Sequence, residues 1–477
     1  MLCKRIIARL DIKGNKLIKG VRFEGVRVIG DPNSAARQYV KDGADELLYI
    51  DAVASLYGRN SISSILKITS NEIFIPITAS GGIRSVSDAK KLIKAGADKI
   101  AINTAGINDP KLIKHLVETF GSQCIVISIQ ARRIGGNSWE AMTEMGREKS
   151  GRDVLDWIQE VQEIGAGEIL LTSVDQDGTL KNPDFELIKN ASKITKIPLI
   201  VSGGLTATSD INSILENDSV SGVALGGSLH YKKQKINLLK EELIAKNIIL
   251  RGSNSQGFSF IEKKPLRNIK VGIIDYDMGN HQSLVNTLNY LGAYVFISKE
   301  LKELNKSEIL ILPGVGAFPK GIANLRKYKL DIFIKEKIKK GYPLIGICLG
   351  MQMLFNESTE FKLTPGLDLI SGKVKKLGNR KNKKIKLPHM GWNKIVSTEN
   401  NFYNVNNLYQ YFVHSYVACD VNPEEVIYKS FYSDIEFVVG IKKDKIVGLQ
   451  FHPERSGILG MELLANIILK QLNKINL

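Results

Sequence analysis

This sequence predicts an α/β protein in two parts, an N-terminal (β/α)8 barrel with a half-barrel repeat and a C-terminal α/β domain of a different kind. Three observations carry that reading. From Met1 to about Ile249, short apolar, β-branched runs alternate with helix-patterned stretches, the arrangement of a parallel sheet joined by crossover helices. Within that span the chain repeats itself at half length. Further on, Gly346-Ile347-Cys348-Leu349-Gly350 follows the apolar run Pro343-Leu344-Ile345 and opens a helical pattern, and His452-Pro453-Glu454 comes roughly a hundred residues later. The 477 residues suit two domains, since one barrel takes about 250. The expected limits are 1–250 for the barrel, 251–268 for a linker and 269–477 for the second domain.

In chain order, barrel strands are expected at 5–11, 46–51, 74–80, 99–103, 125–130, 168–173, 199–202 and 222–225. The repeat is visible in Gly43-Ala44-Asp45-Glu46-Leu47-Leu48, which returns as Gly165-Ala166-Gly167-Glu168-Ile169-Leu170. Likewise Ile75-Pro76-Ile77-Thr78-Ala79-Ser80-Gly81-Gly82 returns as Ile197-Pro198-Leu199-Ile200-Val201-Ser202-Gly203-Gly204. Ser-Gly-Gly at the carboxyl end of a barrel strand lets backbone N–H groups come close enough to grip a phosphate. Gly82 with Asn103 and Thr104 makes one such site, and Asp177, Gly178, Gly204, Gly227 and Ser228 make the other. A bisphosphorylated substrate lying across the barrel mouth fits both.

Strand alternation turns Arg5, Glu46, Lys99 and Glu168 inward at the start of their strands, a charged ring where a barrel normally packs an apolar plug. Four charges there need mutual pairing. The last barrel helix, about 235–246, brings the chain back to this floor, and the linker from Arg251 to Asn268, with its Gly, Ser, Asn and Lys-Lys-Pro, reads as a flexible tether. It keeps the barrel and the second domain interacting at high effective concentration.

In the second domain the glycines around Cys348 permit a strand–turn–helix elbow that holds the thiol proud of the sheet, where backbone N–H groups can surround an oxyanion. His452 supplies a base, and Glu454, two residues on along an extended segment, orients the imidazole. Either residue alone is more often a core cysteine or a satisfied histidine; their order and setting make them a catalytic set.

Composition excludes several classes. The net charge is +17, yet the lysines scatter along helix-patterned stretches without a nucleic-acid recognition motif. A solvated basic surface that favours encounter with a phosphorylated substrate is the reading. Cys3, Cys124, Cys348 and Cys419 show no paired spacing and no zinc-type clustering with the six histidines, and no signal peptide or long apolar span is present. A reduced, cytoplasmic protein is expected, with no metal, no cofactor, no nucleic-acid partner and no membrane association.

The C-terminal part resembles the class I glutamine amidotransferases, and specifically the glutaminase of imidazole glycerol phosphate synthase, from about Lys270 to Lys470. The resemblance rests on Val271-Gly272-Ile273-Ile274-Asp275-Tyr276, Leu312-Pro313-Gly314-Val315-Gly316, Phe412-Val413-His414-Ser415-Tyr416 and, most specifically, Pro388-His389-Met390-Gly391-Trp392-Asn393. It implies that Cys348 attacks the amide of L-glutamine, that His452 moves protons, and that Gln352, Ser415 and Tyr416 hold the glutamine. It also implies an oxyanion hole made by the Gly314–Gly316 turn and the Leu349 N–H. The N-terminal half resembles the cyclase partner of the same synthase, through Lys4-Arg5-Ile6-Ile7-Ala8, Gly81-Gly82-Ile83-Arg84, Ile102-Asn103-Thr104 and Glu168-Ile169-Leu170-Leu171-Thr172-Ser173. That resemblance implies ammonia passing through the barrel to a bisphosphorylated ribulosyl aminoimidazole carboxamide, with the charged ring as its gate. The product would be imidazole glycerol phosphate, in histidine biosynthesis.

Three positions depart from the family pattern. Two aspartates, one per half-barrel, serve there as general acid and base; this chain has Asp11, but the repeat-related position in Ser128-Ile129-Gln130-Ala131-Arg132 is Gln130. An amide hydrogen-bonds but does not exchange a proton near neutral pH. Arg9 faces the interior beside Asp11, and Ser80 replaces a usual glycine. Three functions are open: the synthase with an altered second carboxylate site, a paralogue that aminates or amidinates another acceptor such as a nucleotide sugar for surface glycans, and an inactive barrel serving as scaffold for the glutaminase. The matched phosphate sites argue against the last.

Overall fold

The computed structural model describes residues 2–54, 62–252, 263–378, 385–399, 405 and 408–474. The chain divides into two compact units, the first Cys3–Asn254 and the second made chiefly of the residues that follow.

In the first unit eight parallel strands close on themselves: β1 (Arg5–Lys13), β2 (Glu46–Asp51), β3 (Ile77–Ser80), β4 (Lys99–Ile102), β5 (Ile125–Gly135), β6 (Glu168–Ser173), β7 (Leu199–Ser202) and β8 (Val220–Leu225). Each pairs with the next, and β8 closes onto β1 from Arg5↔Gly222 to Ala8↔Leu225. The expected barrel is therefore present. β3 starts at Ile77 and not at Phe74, because Pro76 has no N–H to give a neighbouring strand and offers only its carbonyl, to Leu47 N–H. Helices are started by side-chain caps: Asp31 accepts from Ser34 N–H, and Asp153 from Leu155 and Asp156 N–H. Inward residues of seven of the eight strands, among them Ile7, Leu48, Ala101, Val126, Leu170, Ile200 and Ala224, form an apolar cluster in the barrel interior.

Two hairpins were absent from the expected strand set. Lys16–Val21 and Glu24–Gly30 extend β1, and Ser138–Thr143 and Glu148–Asp153 extend β5. They occupy repeat-related places, after the first strand of each half-barrel. The last barrel helix, Ile236–Ala245, returns the chain to the floor, where Lys4 N–H donates to Ile249 carbonyl at 2.8 Å. The expected tether is tied at both described ends: Arg251 pairs with Asp45 at 3.0 Å, and Leu266 is fully buried and donates to Leu291 carbonyl. Its middle, residues 253–262, lies outside the described residues.

The second unit has a mixed sheet. Its parallel centre runs Tyr294–Ser298, Lys270–Ile274, Ile309–Leu312, Leu344–Ile347 and Ile446–Leu449, and antiparallel strands continue from its edge. Helices Phe318–Lys327 and Leu330–Lys339 pack Phe318, Ile322, Leu325, Phe333 and Ile334 into the core beside Leu312 and Leu344. Among the described residues, no helix is long and apolar enough to cross a membrane.

Candidate active sites

Cys348 stands between the strand Leu344–Ile347 and the helix Leu349–Met353, with φ +52° and ψ −107°. A non-glycine residue at positive φ is strained, and the surroundings enforce the turn. A side chain at Gly350 would run into the Leu312 carbonyl, so only glycine lets the helix approach. The thiol is 4% exposed. His452 Nδ1 lies 2.7 Å from Glu454 Oε1. The connecting segment differs from the expectation: only His452 is extended, and Pro453–Arg455 form a 3₁₀ turn that swings Glu454 back onto the ring. Burial opposes the imidazolium, but Glu454 and then Cys348 outweigh it and hold the His452 pKa well above its ordinary value. Nε2 is buried and makes no hydrogen bond of ordinary geometry to a described residue, and the Cys348 thiol is close enough to act on the ring.

Gln352 is buried near the thiol, and its Nε2 donates to the Tyr416 carbonyl at 2.8 Å and to Gln450 Oε1 at 3.1 Å. Tyr416 is half-buried beside it, and Ser415 gives its carbonyl to Leu377 N–H. The expected oxyanion hole is not open in this conformation. Leu349 N–H donates to the Gly314 carbonyl at 3.3 Å, so the turn offers an oxygen where an N–H was expected, while Gly316 takes φ +138°. A donor already bonded inside the protein cannot serve an oxyanion until that peptide turns. Two further residues come into the site that sequence reasoning missed. Gln450 Nε2 lies 3.6 Å from Cys348 Sγ. Glu360 is buried, accepts the Phe318 N–H at 2.7 Å, and no described cation pairs with it; burial pushes its pKa up to about 7. Gln450 could have been found from its same-parity position two residues before His452, whereas nothing in the sequence marks Glu360.

In the barrel, Arg5, Glu46, Lys99 and Glu168 are at most 1% exposed and form a closed ring of alternating charge. Arg5 reaches Glu46 at 3.0 Å and Glu168 at 2.5 Å, and Lys99 reaches the same two carboxylates at 2.9 and 2.7 Å. Every carboxylate oxygen of the ring thus has a cation, which offsets the desolvation of four charges. Farther along the strands a second buried quartet surrounds Asp11. Arg9 Nε is 2.8 Å from Asp11 Oδ1 and Lys19 Nζ is 2.7 Å from Oδ2; Lys19 also reaches Asp177 at 2.8 Å and Arg9 reaches it at 3.3 Å. Burial would raise the Asp11 pKa, but Arg9 and Lys19 overcome this and hold it well below the usual carboxylate range. Lys19 was missed because it lies on the unexpected hairpin after β1.

The first candidate phosphate site is a cavity of about 200 Å³ lined by Gly82, Asn103, Thr104, Gln130 and Glu144. Asn103 spends both amide protons on the Ser128 and Met142 carbonyls, so its side chain braces the β5 hairpin and offers no free N–H to a ligand. Gln130 is 4% exposed; its Oε1 has no partner among the described residues, and its Nε2 has only the Met145 sulfur at 3.6 Å. The second site is a recess of about 20 Å³ lined by Asp177, Gly178, Gly204, Gly227 and Ser228. Its Ser228 and Thr206 hydroxyls are buried and without partners among the described residues. Asp177 lines it, but contrary to the expectation its carboxylate is engaged by Arg9 and Lys19; an anionic oxygen would repel a phosphate, and the pairing removes it from that role. The repeat extends to backbone conformation: φ is +113° and +70° at Gly81 and Gly82, and +103° and +74° at Gly203 and Gly204.

A glutaminase-type elbow and a barrel with paired anion-shaped turns define the class: an ammonia-generating domain joined to an ammonia-using barrel. Comparison with known proteins agrees. The histidine biosynthesis protein family matches residues 5–235, and the class-I glutamine amidotransferase family matches residues 272–471. Imidazole glycerol phosphate synthase subunit HisF of Legionella pneumophila is 56% identical over 208 residues, 98% of that protein and 44% of this chain. The HisF subunit of Dictyoglomus turgidum is 42% identical over 251 residues, 99% of that protein and 53% of this chain. The chain belongs to the imidazole glycerol phosphate synthase HisF family and carries a class I glutamine amidotransferase domain in the same polypeptide.

Proposed function

We propose that this chain hydrolyses L-glutamine at Cys348, His452 and Glu454 and passes the ammonia through the barrel to a bisphosphorylated ribulosyl aminoimidazole carboxamide, giving imidazole glycerol phosphate. The observation that carries it is the matched pair of Gly-Gly turns, with the same positive φ in both halves, flanking Asp11 in a barrel fused to a glutaminase. Two such turns suit two phosphates, one at Gly82 and Thr104 and one at Gly204, Gly227 and Ser228. Cys348 attacks the amide carbon and His452, held protonated beside Glu454, gives its proton to the departing ammonia; water then hydrolyses the thioester, which frees glutamate and the Cys348 sulfur and returns a proton to His452. Gln352, Ser415 and Tyr416 hold the glutamine, and Glu360, a buried carboxyl without a cation, meets its ammonium group. The Arg5, Glu46, Lys99 and Glu168 ring opens to admit ammonia, which the apolar cluster beyond it would conduct without binding.

A second acceptor chemistry has a specific observation behind it. Both oxygens of Asp11 are engaged by cations, which makes it a weak base and no acid at neutral pH, and its repeat-related position offers the amide of Gln130. This favours a paralogue that aminates or amidinates another phosphorylated or nucleotide-linked acceptor. The deciding experiment is turnover of the ribulosyl substrate, with ammonia supplied, by the natural protein and by Gln130→Asp. Turnover by the natural protein, raised about 10²–10⁴-fold by the restored carboxylate, supports the synthase. No turnover by either protein overturns it in favour of the second acceptor.

A further inference from the structure

The Pro388–Asn393 segment is the most specific string of the second domain, yet none of its side chains enters the proposed chemistry. Two of them, His389 and Asn393, join a buried hydrogen-bonded chain with His414. His389 Nδ1 and His414 Nε2 are 3.0 Å apart; His414 Nδ1 lies 3.0 Å from the Tyr416 carbonyl, and Asn393 Nδ2 lies 3.1 Å from His389 Nε2. The tautomers follow from the ends of this chain. A carbonyl only accepts, so His414 carries its proton on Nδ1; with a neutral ring its Nε2 accepts, and His389 must donate from Nδ1. His389 Nε2 then accepts, and the Asn393 amide supplies that proton. Both rings are buried, which keeps them neutral, and His389 is packed among Phe412, Tyr432 and Phe437.

The second lone pair of the Tyr416 carbonyl takes Gln352 Nε2–H at 2.8 Å. That contact fixes the Gln352 amide with nitrogen towards Tyr416, and its other proton goes to Gln450 Oε1. Gln450 is thereby turned with its nitrogen towards Cys348 Sγ, at 3.6 Å. An N–H aimed at sulfur stabilises the thiolate over the thiol.

We propose that His389 and His414 are positioning residues, a neutral pair of fixed tautomers acting through Tyr416, Gln352 and Gln450 to hold an N–H donor on the Cys348 sulfur. The inference rests on Cys348 being the glutaminase nucleophile. Its test uses the full chain and reads the pH midpoint of Cys348 ionisation from the ultraviolet thiolate absorbance, natural protein minus Cys348→Ser, alongside kcat and KM for glutamine. Gln450→Met conserves volume and removes the donor; the midpoint should rise by about one pH unit, the size of one hydrogen bond to a charged group, and kcat/KM below that midpoint should fall about tenfold. His389→Phe should do the same, whereas His389→Asn, whose amide N–H replaces Nδ1–H, should retain the natural midpoint. If position 389 does not tolerate change, His414→Phe against His414→Asn makes the same comparison. An unchanged midpoint in Gln450→Met, or equal midpoints in the Phe and Asn variants, overturns the proposal. Glutamine hydrolysis surviving in Cys348→Ser would instead overturn the nucleophile assignment beneath it.

Discussion

At the scale of single residues, the elbow at Cys348 was legible because a strained turn of this kind demands a local backbone signature. A side chain held at φ +52° between a strand and a helix needs glycine where its neighbours crowd, and Gly346 and Gly350 write that need into the sequence. Glu360 has no such signature: its burial and its lack of a cation are tertiary facts, and an acidic residue in a charged chain looks like any other. Two predictions belong here. Cys348→Ala should abolish glutamine-dependent turnover while leaving turnover with ammonium salts, since in the proposed function the thiol only releases ammonia; parallel assays with both nitrogen sources check it. For Glu360, the folded pKa of about 7 lies above that of an ordinary glutamate. Its contribution to stability is therefore full at low pH and is lost as pH rises through about 7, where the carboxylate forms without a partner. Bound glutamine would supply the missing cation, so KM for glutamine should fall as pH rises through that value. Glu360→Gln should raise KM and flatten its pH dependence; a KM profile unchanged by the substitution would remove Glu360 from the binding site.

At the scale of elements, the eight strands were legible from β-branched runs buried on both faces, whereas the two hairpins were not. The strand Glu24–Gly30 is almost wholly exposed, so no alternation of apolar and polar residues announces it. The consequence was functional, because its partner Lys16–Val21 carries Lys19 to Asp11 and Asp177. The depressed folded pKa of Asp11 contributes stability that is present above the ordinary carboxylate range and lost as pH falls through the folded value. Lys19→Met removes one of the two cations responsible. The acid limb of thermal stability should move to higher pH, and at neutral pH the unpaired charge should cost about 3–5 kcal/mol. Barrel turnover should fall while glutamine hydrolysis by the second unit persists. Thermal unfolding across pH reads the first effect, and an unmoved acid limb would mean that Arg9 alone holds Asp11 ionised.

At the scale of the whole molecule, the proposed function requires a transfer of ammonia, and the barrel floor is where its physical requirement can be stated. Ammonia is small and neutral when unprotonated, and the interior cluster of Ile7, Leu48, Val126, Leu170 and Ile200 offers it no hydrogen bond that would hold it. The charged ring is the opposite: four buried groups in mutual contact, two cations with two carboxylates, facing inward at the start of their strands. Strand parity made the ring legible from sequence, because inward charges at the start of four strands cannot be a packed apolar plug. The two carboxylates of the ring depend on two cations, and Lys99→Met leaves Glu46 and Glu168 sharing Arg5 alone. The ring should then relax as water enters to solvate the unpaired charge, and ammonia should escape before it reaches the acceptor. Measured together, glutamine hydrolysed should exceed acceptor product formed, whereas in the natural protein the two should be nearly equal. Turnover with ammonium salts, which enter through the open barrel mouth, should change far less than turnover with glutamine. A variant that keeps equal stoichiometry would make the ring a structural ion network and nothing more, and the ammonia route would have to lie elsewhere.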